Sequence, residues 1–263
     1  WKCFLFQVLI AVALVGGDFL AMAQAPVTGL RTVEAIRALT VAQAQQHPPV
    51  QLHGVVTFFD ERIFSHFMQD DTAGIYLQFP ENIGPPMLAP GQVVNVTGTC
   101  SPGEYAPVVV VDKIQAVGEA PLPVPKVVTY QQLATGVEDS QFIEISGIVR
   151  SVQLLTDSQF YLIEIATGGG RLLVYASRLP VSQPDELLDS TVRVRGVCAT
   201  KFNHKRQLFA IQVMVAQREE LEIEGPAPKK PFAVAARPLG SLLQFSPQER
   251  FGHRVKIEGT VSY

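Results

Sequence analysis

Cysteine is scarce in this chain: of three in 263 residues, Cys3 sits in an apolar leader and only Cys100 and Cys198 follow. Charge is low as well, 17% of residues with a net charge of −3, so the basic excess of a dedicated nucleic-acid binder is missing. No CxxC, HExxH or His-carboxylate cluster is present, which gives no support to a metal site, and no cofactor motif stands out. No Ser, His and acid triad can be assembled either: Ser65-His66 is a lone pair on an aromatic segment without a glycine elbow. What the chain does have is 47% hydrophobic residues, ample for packed cores.

Those apolar residues recur in a pattern. Val50–Val56, Phe142–Val149 and Val255–Val261 each read as an alternating strand with an interior glycine: Gly54, Gly147 and Gly259. A second strand type runs from Val93 to Cys100 and again from Thr191 to Cys198, ending on equivalent cysteines 98 residues apart (100 to 198). A period of roughly 100 is domain-sized and exceeds the roughly 20–50 of solenoids and propellers, so the reading is one of tandem homologous domains. Thr40, Thr129 and Ser241 each precede one or two turns of expected helix, whose free N–H groups a hydroxyl can accept. Cys100 and Cys198, at equivalent places in separate copies, are expected as two buried, unreactive thiols.

Phe4–Val15 is an apolar run after Lys2, followed by the small residues Ala21-Met22-Ala23-Gln24-Ala25. That order marks a secretory signal over 1–25, with a core too short for a membrane span, and places the mature chain outside the cytoplasm. Residues 26–125 then form a first module, 126–230 a second, and 231–263 the start of a third, truncated one. The opening without Met and the stop inside a repeat are read as a piece of a longer reading frame.

Five strands are expected per copy, at about 51–59, 63–69, 73–79, 92–100 and 106–117, and at about 142–153, 159–166, 171–176, 191–199 and 207–216. Five strands with the longest break after the third match a five-stranded oligonucleotide/oligosaccharide-binding (OB) barrel. The fold class is therefore all-β: tandem OB-like barrels, each led by a short helix. Pro121–Pro125 and Gly225–Pro231 are expected as semi-rigid spacers.

Candidate chemistry is sparse. Gly168-Gly169-Gly170 lacks a following Lys-Ser/Thr pair and reads as a hairpin turn, while Asp60-Glu61 and Asp70-Asp71 read as solvated turn residues. No catalytic residue is nominated. The aromatic strands of copy one offer Phe59, Phe64 and Tyr76 as ligand contacts, and the loops after the fourth strands add Tyr105 in copy one and Lys201, Phe202, His204 and Arg206 in copy two. A basic loop beside an aromatic is what OB barrels use on single-stranded nucleic acid. Its acidic counterpart, Ser101–Ala106, and the export signal speak against that use, so nucleic acid is not expected as a partner.

Val50–Val56, Phe67–Tyr76, Leu88–Gly91, Gly98–Pro107 and Arg195–Cys198 resemble the exported, tandem OB-like input regions of bacterial sensor histidine kinases and related signalling proteins. The resemblance covers roughly residues 30–263 and implies a non-catalytic, periplasmic sensory region that binds a small ligand or a protein. Membrane attachment and kinase activity would belong to a segment beyond Tyr263, and a second copy of the chain is a further candidate partner. Ligand binding would change the relative set of the barrels through the proline spacers. The competing reading is a secreted OB-fold adaptor, or a carbohydrate- or nucleic-acid-binding module, without signalling output.

Overall fold

A computed structural model describes residues 29–228, 230, 233–242 and 253–260. The expected signal segment, 1–25, lies outside the described residues, as do Leu243 and Val261 of the expected third module.

The first sheet is a closed barrel. Pro49–Asp60 (β1), Ser65–Gln69 (β2), Gly74–Gln78 (β3), Gln92–Ser101 (β4) and Val108–Glu119 (β5) follow one another in the order β1-β2-β3-β5-β4, and β4 pairs back on β1. Phe142–Leu155 (β7), Phe160–Ala166 (β8), Arg171–Ala176 (β9), Thr191–Phe202 (β10) and Leu208–Val215 (β11) repeat that order, closed by the β10–β7 pairing. In both barrels the third and fifth strands are parallel and the remaining pairs antiparallel. The chain is thus a tandem of OB-like barrels, with all ten expected strands within a few residues of their expected bounds.

Two further strands flank the second barrel. Lys126–Val127 (β6) runs parallel to β7, and Leu221–Gly225 (β12) lies antiparallel to β10. Neither was expected: a two-residue strand carries no alternation to read, whereas the alternation of Leu221 and Ile223 with Glu222 and Glu224 was a signal for β12 that went unused.

Short helices lead into each barrel. Val41–Ala44 (α2) and Tyr130–Ala134 (α3) start at Thr40 and Thr129, whose hydroxyls accept the N–H groups of Gln43 and Gln132 while those glutamine side chains bond back to the cap residues. A helix not foreseen, Val33–Arg37 (α1), precedes them; Asp70 Oδ2 accepts the Val33 N–H at 2.7 Å and ties it to the β2–β3 turn. The third lead-in differs from expectation. Ser241 is the last residue of a 3₁₀ turn, Leu239–Ser241, and residues 253–260 carry a single parallel bridge, Lys256 to Ala236, instead of a strand. An alternating segment becomes a strand only where a neighbour supplies ladder partners.

Alternation fills each lumen. Val50, Leu52, Val56, Met68, Ile75, Leu77, Val94, Val96 and Cys100 form the first core with Val109 and Val111; Ile143, Ile145, Val149, Ile163, Ile165, Val192, Val194 and Cys198 build the second with Ile211 and Val213. Gly54 stands where β1 passes from β4 to β2. A Cβ there would lie 2.5 Å from the Gln69 carbonyl oxygen, and at the equivalent Gly147 it would lie 2.8 Å from that of Ala166. The bare position allows the close approach that lets one strand serve both halves of the barrel. Both thiols are buried and free: burial pushes Cys100 up to about 11 and Cys198 higher, the latter with help from Asp139.

One buried carboxyl makes stability depend on pH. Glu220, on the turn before β12, accepts the N–H groups of Ala216 and Gln217 through Oε2, while its Oε1 has no partner. Burial raises its pKa from 4.5 to about 6, against the pull of those two N–H groups. Because the folded pKa lies above the unfolded one, this contribution to stability is fully present below pH 4.5 and is lost as pH rises through 6. Glu220→Gln is expected to abolish that loss. Denaturant unfolding should show the variant gaining about 2 kcal/mol on wild type between pH 4 and pH 7; a constant gap would refute it.

Candidate binding cleft between the barrels

The barrels are docked face to face. The outward side chains of β1–β3, Phe58, Phe67 and Tyr76, meet Phe142, Phe160, Val197, Ala199 and Met214 of the second barrel in one apolar cluster, which Leu122 of the first spacer joins. Phe58 and Phe160 lie with ring centroids 6.4 Å apart, and the Arg62 guanidinium stands 4.7 Å over the Phe160 ring. Polar clamps edge the cluster. Gln141 accepts the Gly74 N–H at 3.1 Å and donates to the Gly74 carbonyl at 3.3 Å, Phe142 N–H donates to Gln69 Oε1 at 3.0 Å, and Arg37 donates to the carbonyls of Val137 and Asp139 at 3.0 and 2.9 Å.

Beside this cluster the two surfaces diverge around a cavity of about 460 Å³. Barrel one contributes Ser65, Phe67, Tyr76 and Gln78 from β2 and β3, with Glu104 and Tyr105 from the β4–β5 loop; barrel two contributes Asp139, Thr200, Phe202, Gln212 and Met214. Tyr105 and Phe202 stack across the gap at 5.7 Å with planes 7° apart, and Phe67 meets Tyr76 edge-on at 5.3 Å. Asp139 Oδ1 accepts from the Thr200 hydroxyl at 2.7 Å and from its N–H at 3.2 Å. Burial and then the Asp139 carboxylate raise the Tyr105 phenol pKa, and burial and then Glu61 raise that of Tyr76, so both stay protonated at neutral pH. Gln212, 5% exposed, points outward between the lumen residues Ile211 and Val213, and its Nε2 has no partner.

No family model matches this chain, and no curated protein does. Solved structures do. The p204 HINb domain is 13% identical and aligns over 67% of this chain and 97% of its own, with a TM-score of 0.29. The Ifi202 HINa domain in complex with 20bp dsDNA is 7% identical (69% and 98%, TM-score 0.29). A murine DNA binding protein bound with ds DNA is 10% identical (68% and 98%, TM-score 0.32). Two of these hold double-stranded DNA, so the expectation that set nucleic acid aside as a partner is withdrawn. With TM-scores near 0.3, the likeness does not in turn argue that this chain binds DNA.

Of the side chains nominated from sequence, the fold brings Tyr76, Tyr105 and Phe202 together at the cleft. Phe59 is not among them. A bulge between Val56 and Phe58 shifts the alternation by one, sending Phe58 to the interface and Phe59 inward against His66 and Phe79. Phe64, with φ +48, is exposed, and its carbonyl accepts the Tyr76 hydroxyl at 2.8 Å. Arg206 is engaged internally, donating to the carbonyls of Pro102, Gly103 and Tyr105 at 3.0–3.2 Å. Lys201 and His204 are exposed and outside the cleft.

Ser65 lines the cleft whereas His66 faces the lumen with Glu61 on its Nε2, so strand alternation places the pair on opposite faces. Asp60 pairs with Arg62, and the triple glycine forms the β8–β9 turn. Among the described residues no three His, Cys, Asp or Glu side chains gather as a metal site. Asp139, Gln212 and Met214 were not nominated. For the last two the signal existed, because Gln212 and Met214 alternate with the apolar lumen residues of β11.

Proposed function

We propose that this chain is a non-catalytic binding region whose small ligand occupies the cleft between its two barrels. The observation that carries the reading is the composition of that cleft: both barrels supply its walls, two aromatic pairs line it, and a buried amide in it lacks a partner. A ligand there touches both barrels, so it adds to docking free energy directly. The resemblance to exported input regions supports a sensory role, with docking strength as the quantity that a ligand changes.

Gln78→Trp tests this. Gln78 is exposed at the cavity wall, so an indole there fills the space without removing a buried contact. In a thermal-shift screen of small metabolites, a ligand at 100 times its Kd adds about 2.7 kcal/mol, or about 5–10 °C in Tm for a chain of this size. Compounds that shift wild type by that much and leave Gln78→Trp unmoved are expected. Hits that shift both proteins equally would place the site elsewhere and defeat the proposal.

A further inference from the structure

The charges that line the cleft are one-sided. Glu104 and Asp139 are its ionisable acids, and no Lys, Arg or His lines it. Among the described residues neither carboxylate has an ion-pair partner; Asp139 accepts bonds from Thr200 and Ser140, groups without charge. Two arginines lie close by, but their guanidinium groups donate to main-chain carbonyls, Arg206 to those of residues 102, 103 and 105 and Arg37 to those of residues 74, 137 and 139. Burial first and then the Asp139 carboxylate raise the Tyr105 phenol pKa, while Arg37 acts in the opposite sense.

Aromatic faces, two acids and no resident cation describe a site for a positive ligand. Ring faces attract a cation through their quadrupoles, most strongly when water is displaced, and the carboxylates add charge attraction. Independently, the buried Gln212 Nε2 has a hydrogen with no acceptor, a cost that a ligand oxygen would relieve. We infer, resting on the cleft as the binding site, that its ligand is a small organic cation, an amine or quaternary ammonium, that also carries an oxygen acceptor. The cation would sit between the Tyr105–Phe202 and Phe67–Tyr76 pairs on the Glu104 side, and the oxygen would reach Gln212.

Three probes of similar shape separate these requirements in calorimetric titrations of the full chain. Choline has both charge and oxygen, 3,3-dimethylbutan-1-ol keeps the oxygen and shape without the charge, and tetramethylammonium keeps the charge without the oxygen. Choline is expected to bind about tenfold or more tighter than the neutral alcohol, the size of a desolvated cation–π contact. It should also bind severalfold tighter than tetramethylammonium, and Gln212→Leu should erase that second difference. Glu104→Gln, on an exposed loop where folding is not at stake, should weaken choline severalfold and leave the neutral alcohol unchanged.

Equal affinity for choline and the neutral alcohol, with both lost in Gln78→Trp, would overturn the cationic class and leave the cleft as the site. Choline binding that Gln78→Trp leaves intact would overturn the location. No choline binding at millimolar concentration would overturn the cationic class outright.

Discussion

Replacing Gly74 by alanine is expected to undock the two barrels. A Cβ at Gly74 would stand 2.0 Å from the Ser140 carbonyl oxygen and 2.8 Å from its carbon, main-chain atoms with no rotamer to escape into. Ser140 cannot readily retreat. It sits at φ +66, and its N–H donates to the Cys198 carbonyl at 2.7 Å, fastening it to β10. Gly74 itself is held on both its N–H and its carbonyl by Gln141. The added methyl therefore forces barrel from barrel, breaking the two Gln141 bonds and opening the apolar cluster behind them. The cost should reach about 3 kcal/mol, the upper end for overpacking.

Small-angle scattering should report a larger radius of gyration for Gly74→Ala, and urea unfolding should separate into two transitions. Gly168→Ala, where a Cβ meets nothing within 4 Å, is the matched control and should behave as wild type. A Gly74→Ala protein with unchanged scattering and a single wild-type transition would show that the interface yields.

The barrels themselves were legible because period-two alternation and interior glycines are local signals. The duplicated glycine strands and the duplicated strand ending in cysteine announced two copies of one fold, and Thr40 and Thr129 announced their helices. How the copies meet was not legible, since docking depends on which outward side chains of distant strands coincide. Phe59, Phe64 and Tyr76 of copy one were read as ligand contacts. The structure shows most of the outer face of β1–β3 covered by the sister barrel, with the cleft left at its margin. A single bulge then exchanged the roles of Phe58 and Phe59, because one inserted residue inverts every following position. The internal engagement of Arg206 was illegible for a related reason: its carbonyl partners lie about a hundred residues earlier, in the loop of the other copy.

Phe160→Ala is expected to cost about 3–5 kcal/mol, as for other fully buried phenylalanines, and the location of that loss is what makes it informative. Phe160 is wholly buried, yet it begins β8 on the face opposite the lumen residues Ile163 and Ile165. Its partners are Phe58 and Arg62 of the first barrel. Truncation should therefore leave the second barrel's own core intact and weaken docking, so the loss should coincide with separation of the barrels in scattering. Phe58→Ala should act on the same contact. In the double mutant the two losses should fall short of additivity by about 1 kcal/mol, the coupling of an aromatic pair beyond its burial. Additive losses with unchanged scattering would place Phe160 in the stability of its own barrel. If docking does fail, any ligand of the cleft must fail with it, because Tyr76 and Tyr105 come from one barrel and Asp139, Phe202 and Gln212 from the other.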